Sequence, residues 1–295
     1  MSKAREIKRR IRSIDKTRQI TKTMEMVAAS KLKRAQDRVV AARPFDVFMR
    51  QVIAKIRAGA GHAEEAFPLL RTSRLSGRAA VLVVTSNRGL AGAFNANLVR
   101  TAQESLRQLE AEGLTTELHV VGKRGATMLK YQGETIDRVV ADLSDRPSYA
   151  EAEELSSSLI DAFVDGRLDG VYLVYSHFRS PVEQRPVAAA LLPLPRDQES
   201  EAGERERHFE PIYEFLPSPE VILSRLLPLF LKYGVYRALI ESAASEHGAR
   251  RTAMKNATDN AGDMIKDLTR WFNRARQAQI TQEIAELVGG AEALK

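Results

Sequence analysis

The sequence predicts an α/β fold in which long helices at the two ends of the chain form an antiparallel coiled coil and the middle of the chain forms a mostly parallel sheet. Residues 1–58 contain no glycine and one proline, Pro44, and residues 235–288 contain no proline and only two glycines. At ~1.5 Å per residue such helices reach on the order of 80 Å, so we expect them to protrude from a small domain. Each needs a partner for its apolar stripe, and the other end of the chain is the nearest candidate.

The N-terminal helix, predicted over residues 1–58, carries apolar residues at helical spacing. They are Ile7, Ile11, Ile14, Ile20, Met24, Val27, Leu32, Ala35, Val39, Ala42, Phe48, Val52 and Ile56. The step from Ile14 to Ile20 is six residues, whereas a heptad seam needs seven. The pattern therefore predicts that the seam slips and that the supercoil is irregular. Pro44 removes one backbone hydrogen bond, which predicts a kink or boundary near Arg43.

The C-terminal helix, predicted over residues 218–295, begins with the cap-type sequence Ser218-Pro219-Glu220. Its apolar stripe starts as a ladder of alanines and continues with larger residues: Ala249, Ala253, Ala257, Ala261, Ile265, Leu268, Phe272 and Ala275. Small residues allow two helix axes to approach closely. The first helix offers a matching face with Ala28, Ala29, Ala35 and Ala42. The alternative is a pair of ordinary helices inside a larger bundle, but the flanks of the stripe are strongly charged.

Residues 78–195 alternate between strand and helix patterns. The predicted strands are 79–84, 117–121, 134–140, 170–178 and 184–194, and the predicted helices are 95–112, 123–131 and 148–164, the last with a Ser148/Glu151 capping box. This order predicts a Rossmann-like, mostly parallel sheet with one antiparallel edge strand. Residues 59–77 are a connecting segment in this interpretation, and residues 196–217 are a charged, solvated loop.

Composition excludes several classes of protein. The chain has no cysteine, which rules out disulfides, thiolate zinc sites and cysteine nucleophiles. It contains no apolar run long enough to span a bilayer and no secretory signal, so we expect a cytoplasmic protein. Residues 1–43 hold 14 Lys or Arg against four acids in a chain of net charge +7. A basic helix of this kind runs past acidic protein loops or along nucleic acid, but no aromatic residue for base stacking precedes Phe45.

The loop after the first predicted strand contains Arg88, Gly89, Gly92 and Asn95. Two glycines beside a helix start could cradle a phosphate, although neither a complete dinucleotide fingerprint nor a P-loop is present. A tight turn capped by Asn95 explains the glycines equally well. The histidines show no metal-ligand spacing, and no catalytic triad or carboxylate pair stands out. We therefore predict no catalytic residue, no cofactor and no metal, with a nucleotide-using enzyme and a nucleic-acid scaffold as alternatives.

Three motifs carry a resemblance to a known family. They are ITKTMEMVAASKL at residues 20–32, VTSNRGLAGAFN at residues 84–95, and AMKNATDNA at residues 253–261 continued by ARQAQITQE at residues 275–283. Together they closely resemble the gamma subunit of F-type ATP synthases, and the resemblance covers essentially the whole chain. Asn87 and Ala91 stand where the family often has aspartate and cysteine. The cysteine-bearing insert of plant-type relatives is missing, so thiol regulation is not expected.

The resemblance implies a central-stalk rotor that couples proton translocation to ATP synthesis or hydrolysis. The implied partners are a hexamer of alpha and beta subunits, the epsilon subunit and the membrane ring of c subunits, on the cytoplasmic face of the bacterial inner membrane. The family's beta-contacting positions match Met24, Arg276, Gln277 and Thr281. Ile284, Leu287 and Val288 match the tip held in the hexamer, and residues 207–215 are the expected contact with the ring. Catalysis would belong to the beta subunits.

Overall fold

The computed structural model describes residues 3–60, 67–71, 75–141, 143, 146–194 and 218–292. The predicted charged loop, and parts of the predicted connecting segment, lie outside these residues. The chain divides into two compact units. One, the helix-pair unit, comprises Met1–Ala29 and Arg250–Lys295, and the other, the α/β unit, comprises Ser30–Ala249. Among the described residues, no helix combines the length and the apolar character needed to cross a lipid bilayer.

The α/β unit contains a five-stranded sheet of order β3-β2-β1-β4-β5. Its strands are β1 (Arg78–Val84), β2 (Thr115–Val121), β3 (Arg138–Val140), β4 (Gly170–Phe178) and β5 (Gln184–Leu192). The pairs β1/β2, β1/β4 and β2/β3 are parallel, and β4/β5 is antiparallel. The predicted mostly parallel sheet with one antiparallel edge is confirmed.

Two strands are shorter than predicted, each for a local reason. The carboxylate of Asp137 accepts the Leu118 N–H at 2.7 Å, so the β2/β3 ladder starts only at Arg138. Strand β5 ends at Leu192 because the next residue, Pro193, has no N–H to continue the ladder.

Helices cover both faces of the sheet. Strand β1 is buried on both sides, so its residues alternate between two cores. Ala79, Val81 and Val83 face α2 (Phe94–Ala111) and α3 (Lys123–Tyr131). The intervening residues face α4 (Tyr149–Val164), whose N-terminus carries the predicted Ser148/Glu151 capping box, together with parts of two long helices.

These long helices are α1 (Lys3–Ala60) and α5 (Pro219–Glu292). Within the α/β unit they run antiparallel: the Tyr233 hydroxyl donates to the Ala42 carbonyl at 2.6 Å, and further along α1 Arg50 lies over the ring of Phe230. The buried residues of α1 here keep heptad spacing: Leu32, Val39, Asp46, Met49, Ile53 and Ile56. Phe48, which the sequence pattern placed in the stripe, is 60% exposed. Helix α1 also passes through Pro44 without an interruption, so the predicted boundary near Arg43 is absent.

The helix-pair unit corrects the prediction of a slipped seam. Ile20 is 60% exposed and Val27 is 52% exposed, whereas Thr21 and Ala28 beside them are buried. The seam continues from Ile14 to Thr21 and Ala28 in steps of seven, as a regular heptad requires. Met254, Ala261 and Leu268 of α5 are buried at the same spacing. The prediction followed the larger apolar residues, whereas close packing selected the smaller ones.

Candidate interaction surfaces

The loop after β1 is held by hydrogen bonds to its own domain. The Thr85 hydroxyl donates to the Val121 carbonyl at 2.6 Å and accepts the Gly125 N–H at 3.2 Å. A Cβ on Gly122, whose φ is +99°, would lie 2.5 Å from the Thr85 carbonyl oxygen. Glycine is therefore needed where β2 passes into α3, so that the ends of β1 and β2 can meet.

Asn95 is not the cap of helix α2, as the sequence pattern had suggested. The N-cap position is Ala93, and Asn95 lies in the first turn. Its amide oxygen accepts the Ser86 N–H at 3.1 Å, and its amide nitrogen donates to the Ser86 hydroxyl at 2.9 Å. The side chain thus ties the start of α2 to the end of β1. Arg88 and Gly92 in the same loop are exposed, and Gly92 has a positive φ of +57°.

The position of this loop is the usual ligand crevice of an open α/β sheet. The strand order reverses at β1, and ligands bind such folds beyond the carboxyl ends of the strands at that point. Here the crevice is filled by the chain itself, because Leu239, Ser242, Ala243 and Glu246 of α5 lie across it. The remaining cavity is ≈ 40 Å³, against roughly 300–1,000 Å³ for a small-molecule site. The cavity that remains between Ser86, Asn87 and α5 is too small for a nucleotide.

Helix α5 is tied to the sheet by buried polar contacts as well as apolar ones. The Ser242 hydroxyl accepts the Ser176 N–H at 3.1 Å, and the Ser245 hydroxyl donates to the Ser176 carbonyl at 3.1 Å. The carboxylate of Glu241 lies 2.6 Å from His177 Nδ1. Because Ser176 and His177 belong to β4, these contacts fix the rotation of α5 on the sheet.

A partly buried ion pair joins α5 to α1 in the same unit. Arg237 donates to Asp46 at 2.9 Å, and Arg50 donates to the same carboxylate oxygen at 3.0 Å. Burial alone would lower the pKa of Arg237, but Tyr175, Asp46 and Glu241 around it raise the pKa above its ordinary value. Burial, with a contribution from Asp46, raises the pKa of Tyr233 to about 12. The arginine therefore stays charged and the tyrosine stays neutral throughout the physiological pH range.

The predicted beta-contacting residues lie on the helix-pair unit. Met24 on α1 is half-buried, and Arg276, Gln277 and Thr281 on α5 are exposed. None of the three α5 residues is required by the packing of the pair, so the structure leaves their polar groups available for another molecule.

Among the residues that the structure describes, no second helix covers the last turns of α5. The Thr258 hydroxyl donates to Thr21 at 2.8 Å, so α5 crosses α1 at this level. Because the two helices run antiparallel, Lys3, the first residue of α1, lies at about the level of Arg276 on α5. Every residue from Arg276 to Gly289 is exposed. The apolar ones share a face at helical spacing: Ile280 is 43% exposed, Ile284 56%, Leu287 75% and Val288 57%.

A further set of exposed apolar residues was missed by the sequence analysis. Ile20 and Val27 on α1, and Met264 and Trp271 on α5, are 52–60% exposed and spaced seven residues apart on each helix. A regular heptad assignment would have found them, since it places all four outside the seam. Large apolar side chains at regular positions on the outside of a helix pair are typical of a surface that another protein covers.

Comparisons with known proteins identify the class to which this architecture belongs. A sequence model described as ATP synthase matches residues 3–294. The ATP synthase gamma chain of Gemmatimonas aurantiaca is 46% identical over 298 residues, covering 100% of both chains. That of Moorella thermoacetica is 43% identical over 295 residues, again covering 100% of both. The chain belongs to the ATP synthase gamma-chain family, and it is thus a subunit of the ATP synthase complex.

Solved structures agree with this assignment. A chain of the Tetrahymena thermophila mitochondrial ATP synthase, described as central stalk and c-ring, aligns with a TM-score of 0.57 and 26% identity over 81% of this chain and 99% of its own length. A rotor chain of the Euglena gracilis mitochondrial ATP synthase shares the fold, with a TM-score of 0.60 and 20% identity over 94% of this chain and 98% of its own length.

Proposed function

We propose that this chain is the rotor that transmits torque between the membrane ring and the catalytic hexamer of a proton-driven ATP synthase. The observation that carries the proposal is the exposed end of α5. A single exposed helix is marginal in water, yet residues 276–289 present an exposed apolar face. The alpha and beta subunits, as a hexamer around the paired terminal helices, are the partner that would cover this face.

In this mechanism proton flow turns the ring of c subunits, and the gamma chain turns with it. The face that the helix pair presents to each beta subunit changes with the angle. The differential contacts then move three catalytic sites through states of different affinity. The chain performs no chemistry itself: catalysis belongs to the beta subunits, and no cofactor, metal or nucleic acid is involved.

The contact residues divide into two groups. Arg276, Gln277 and Thr281, with Met24 on the basic helix α1, would make polar contacts to the beta subunits that break and reform at each step. Ile284, Leu287 and Val288 would rest in an apolar bearing at the end of the hexamer. The exposure of all six α5 residues supports these roles.

The α/β unit would join the epsilon subunit and the c-ring, and the loop with Arg88, Gly89, Gly92 and Asn95 belongs to its surface. A torque-bearing base must resist twisting. The occupied crevice and the buried contacts of α5 with β4 supply that resistance. We propose that the chain divides into an N-terminal helix (1–58), a connecting segment (59–77), the α/β region (78–195), a charged loop (196–217) and a C-terminal helix (218–295). We also propose that it lies peripherally on the cytoplasmic face of the bacterial inner membrane.

The double variant Ile284→Asp/Leu287→Asp tests the bearing. Both residues are exposed, so we expect the free energy of unfolding of the isolated chain to change by less than about 0.5 kcal/mol. Proton-driven ATP synthesis in inverted membrane vesicles should fall several-fold, because two charges would enter an apolar sleeve. Capture of the tagged chain from detergent-solubilised membranes should also yield alpha, beta, epsilon and c subunits.

The matched control is Glu283→Gln/Glu286→Gln, on the same turns, where each carboxylate hydrogen-bonds only a glutamine four residues earlier. It should leave ATP synthesis near the wild-type rate.

Gln277→Leu should weaken coupling more than it changes the stability of the isolated chain. The rotor assignment is wrong if the chain never assembles with a hexameric ATPase, or if the double variant Ile284→Asp/Leu287→Asp leaves the rate of ATP synthesis unchanged.

A further inference from the structure

The loop after β1 holds one side chain in a backbone conformation that it disfavours. Leu90 has a φ of +63° and, in the described part of the chain, is the one residue other than glycine with a positive φ. In this left-handed conformation the Cβ atom approaches the following carbonyl oxygen, so glycine and asparagine adopt it more readily than leucine does. Strain of this kind persists where the surrounding structure enforces it, and it is concentrated at functional sites.

The Leu90 side chain contributes little to folding. It is 61% exposed, whereas the next residue, Ala91, is buried in the core beneath α2. A single exposed leucine is ordinary on a protein surface. An exposed leucine that also strains the backbone lowers stability, however, and a glycine or asparagine at this position would not. The combination indicates a contact outside the chain.

The loop that carries Leu90 is held in place by hydrogen bonds on both sides. The Ser86 hydroxyl donates to the Arg88 carbonyl at 2.7 Å, and the Asn87 side-chain oxygen accepts the Lys123 N–H at 3.0 Å. An interface residue on an ordered loop loses less conformational freedom on binding than one on a mobile segment. Leu90 is thus presented in a fixed position before any partner arrives.

Two cations lie beside Leu90. Lys123 and Arg124 are exposed at the start of α3, and the Arg124 guanidinium lies 3.4 Å from the point where a Cβ on Gly89 would be. Neither cation forms an ion pair with another described residue. Complementary charge across an interface favours the correct partner. An apolar anchor next to two cations therefore fits an apolar socket with carboxylates at its edge.

We propose that Leu90 anchors the chain to a neighbouring protein subunit of the ATP synthase complex by entering an apolar socket edged with carboxylates. A protein is favoured over a lipid surface as the partner, because even a single myristoyl chain binds membranes only marginally and one leucine buries much less apolar area. The proposal needs the chain to be part of the complex, as its family membership shows, and it does not depend on the rotation proposed above.

A single introduced thiol tests the contact directly. The chain has no cysteine, so Leu90→Cys carries one reactive thiol, and Val182→Cys, at an 86% exposed position between β4 and β5, is the matched control. Both thiols should react readily with a maleimide in the free chain. In the reconstituted complex, labelling of Leu90→Cys should slow by about tenfold or more, because an anchor in a socket is shielded from water. Labelling of Val182→Cys should keep its rate.

Leu90→Asn separates anchoring from folding. Asparagine tolerates the positive φ, so the Tm of the isolated chain should rise by about 1–3 °C. The same variant should need about tenfold more chain for half-maximal assembly into a complex from which this chain has been removed, as measured by size-exclusion chromatography. Val182→Asn should change neither quantity.

The double variant Lys123→Gln/Arg124→Gln tests the acidic edge of the socket. Assembly should weaken about threefold and become less sensitive to salt, since the attraction that salt screens is lost. Arg100→Gln/Arg107→Gln removes the same charge from exposed positions on α2 and should assemble like the wild type. Equal weakening in this control would contradict a local acidic partner.

Four further results would overturn the anchor. A lower Tm for Leu90→Asn would show that the leucine packs within its own chain. Undiminished labelling of Leu90→Cys in the complex would show that no subunit covers it. Protection of Leu90→Cys by anionic lipid vesicles alone, or by the free chain at high concentration, would assign the contact to a membrane or to a second copy. The rotor proposal is judged separately, by ATP synthesis in the Ile284→Asp/Leu287→Asp variant.

Discussion

Helix α5 behaves as two different structures at its two ends. Between Phe230 and Gly248 it has no exposed residue, and it is packed between α1 and the sheet. Between Arg276 and Gly289 every side chain is exposed. A single continuous helix thus contains a segment whose sequence is determined by folding and a segment whose apolar residues contribute nothing to folding. The exposed apolar residues of the second segment indicate that another protein covers it.

Polar groups show the same contrast. In the buried segment, Arg237 and Glu241 make contacts to α1 and β4 that span more than 60 residues of sequence. In the exposed segment, the side chains of Gln279 and Gln282 donate to glutamates four residues later on the same helix. Local exposed pairs of this kind contribute a few tenths of a kcal/mol at most. Burial, and not the number of contacts, separates the two segments.

The same substitution at the two ends should therefore have opposite consequences. Leu239→Ala removes a side chain that is 1% exposed, and we expect a loss of about 2–5 kcal/mol in the free energy of unfolding. Leu287→Ala removes one that is 75% exposed, and we expect less than about 0.5 kcal/mol. Urea unfolding followed by circular dichroism measures both. Equal effects would show that the end of α5 packs against its own chain in solution.

The partly buried ion pair between Arg237 and Asp46 predicts the next largest loss of stability. Asp46→Asn leaves Arg237 and Arg50 without the carboxylate oxygen that they share. Fully buried pairs lose about 3–5 kcal/mol in this way, and because the Arg237 side chain is 27% exposed we expect on the order of 2 kcal/mol. Asp15→Asn, whose partner Arg18 is exposed, is the control and should change stability by less than about 0.5 kcal/mol. A loss in the control as large as that in Asp46→Asn would contradict the role given to burial.

The sequence predicted the sheet and its helices well because periodicity and local signals agree there. The Ser148/Glu151 capping box and the helix at Lys123–Tyr131 were predicted at the positions that the structure has. The seam of the coiled coil was predicted wrongly, since apolar size was taken as the sign of burial. Where two helices pack closely, Thr21 and Ala28 fit the seam and Ile20 and Val27 do not.

The candidate surfaces were only partly predictable. Arg276, Gln277 and Thr281 were recognised by resemblance, since a polar residue on a helix has no pattern that separates a contact from a solvated surface. The filling of the crevice by α5 could not be predicted, because Leu239 and Ser242 are more than 140 residues from β1. Their burial depends on tertiary packing that no local spacing reports.

Asp169 makes a pH-dependent contribution to the α/β unit. Burial alone would raise its pKa, but the N–H groups of Leu75, Gly77 and Ser76 donate to its carboxylate and hold the pKa below its ordinary value. Because the folded pKa is depressed, the stabilisation is present above the unfolded pKa of about 3.9 and is lost as pH falls through the folded value.

Asp169→Asn should therefore cost about 1–2 kcal/mol near neutral pH, since an amide places its own N–H groups among these donors. The difference from the wild type should shrink as the pH falls below about 4. Urea unfolding of Asp169→Asn and of the wild type at a series of pH values measures this difference in the free energy of unfolding. A difference that stays constant down to the lowest pH at which the chain folds would mean that the charge of Asp169 is not what stabilises this turn.

The smallest effect is expected in the helix-pair unit, where one hydroxyl contact joins the two helices. Thr258→Val removes the donor to Thr21, and the Thr21 hydroxyl retains its bond to the Arg18 carbonyl. No buried group is left unpaired, so the loss should be about 0.5–1 kcal/mol. Fluorescence of Trp271, the sole tryptophan, reports unfolding of this unit. Thr269→Val is the control, because that exposed hydroxyl bonds only to its own helix at Ile265. The interhelical contact contributes to the pairing only if Thr258→Val lowers stability more than Thr269→Val does.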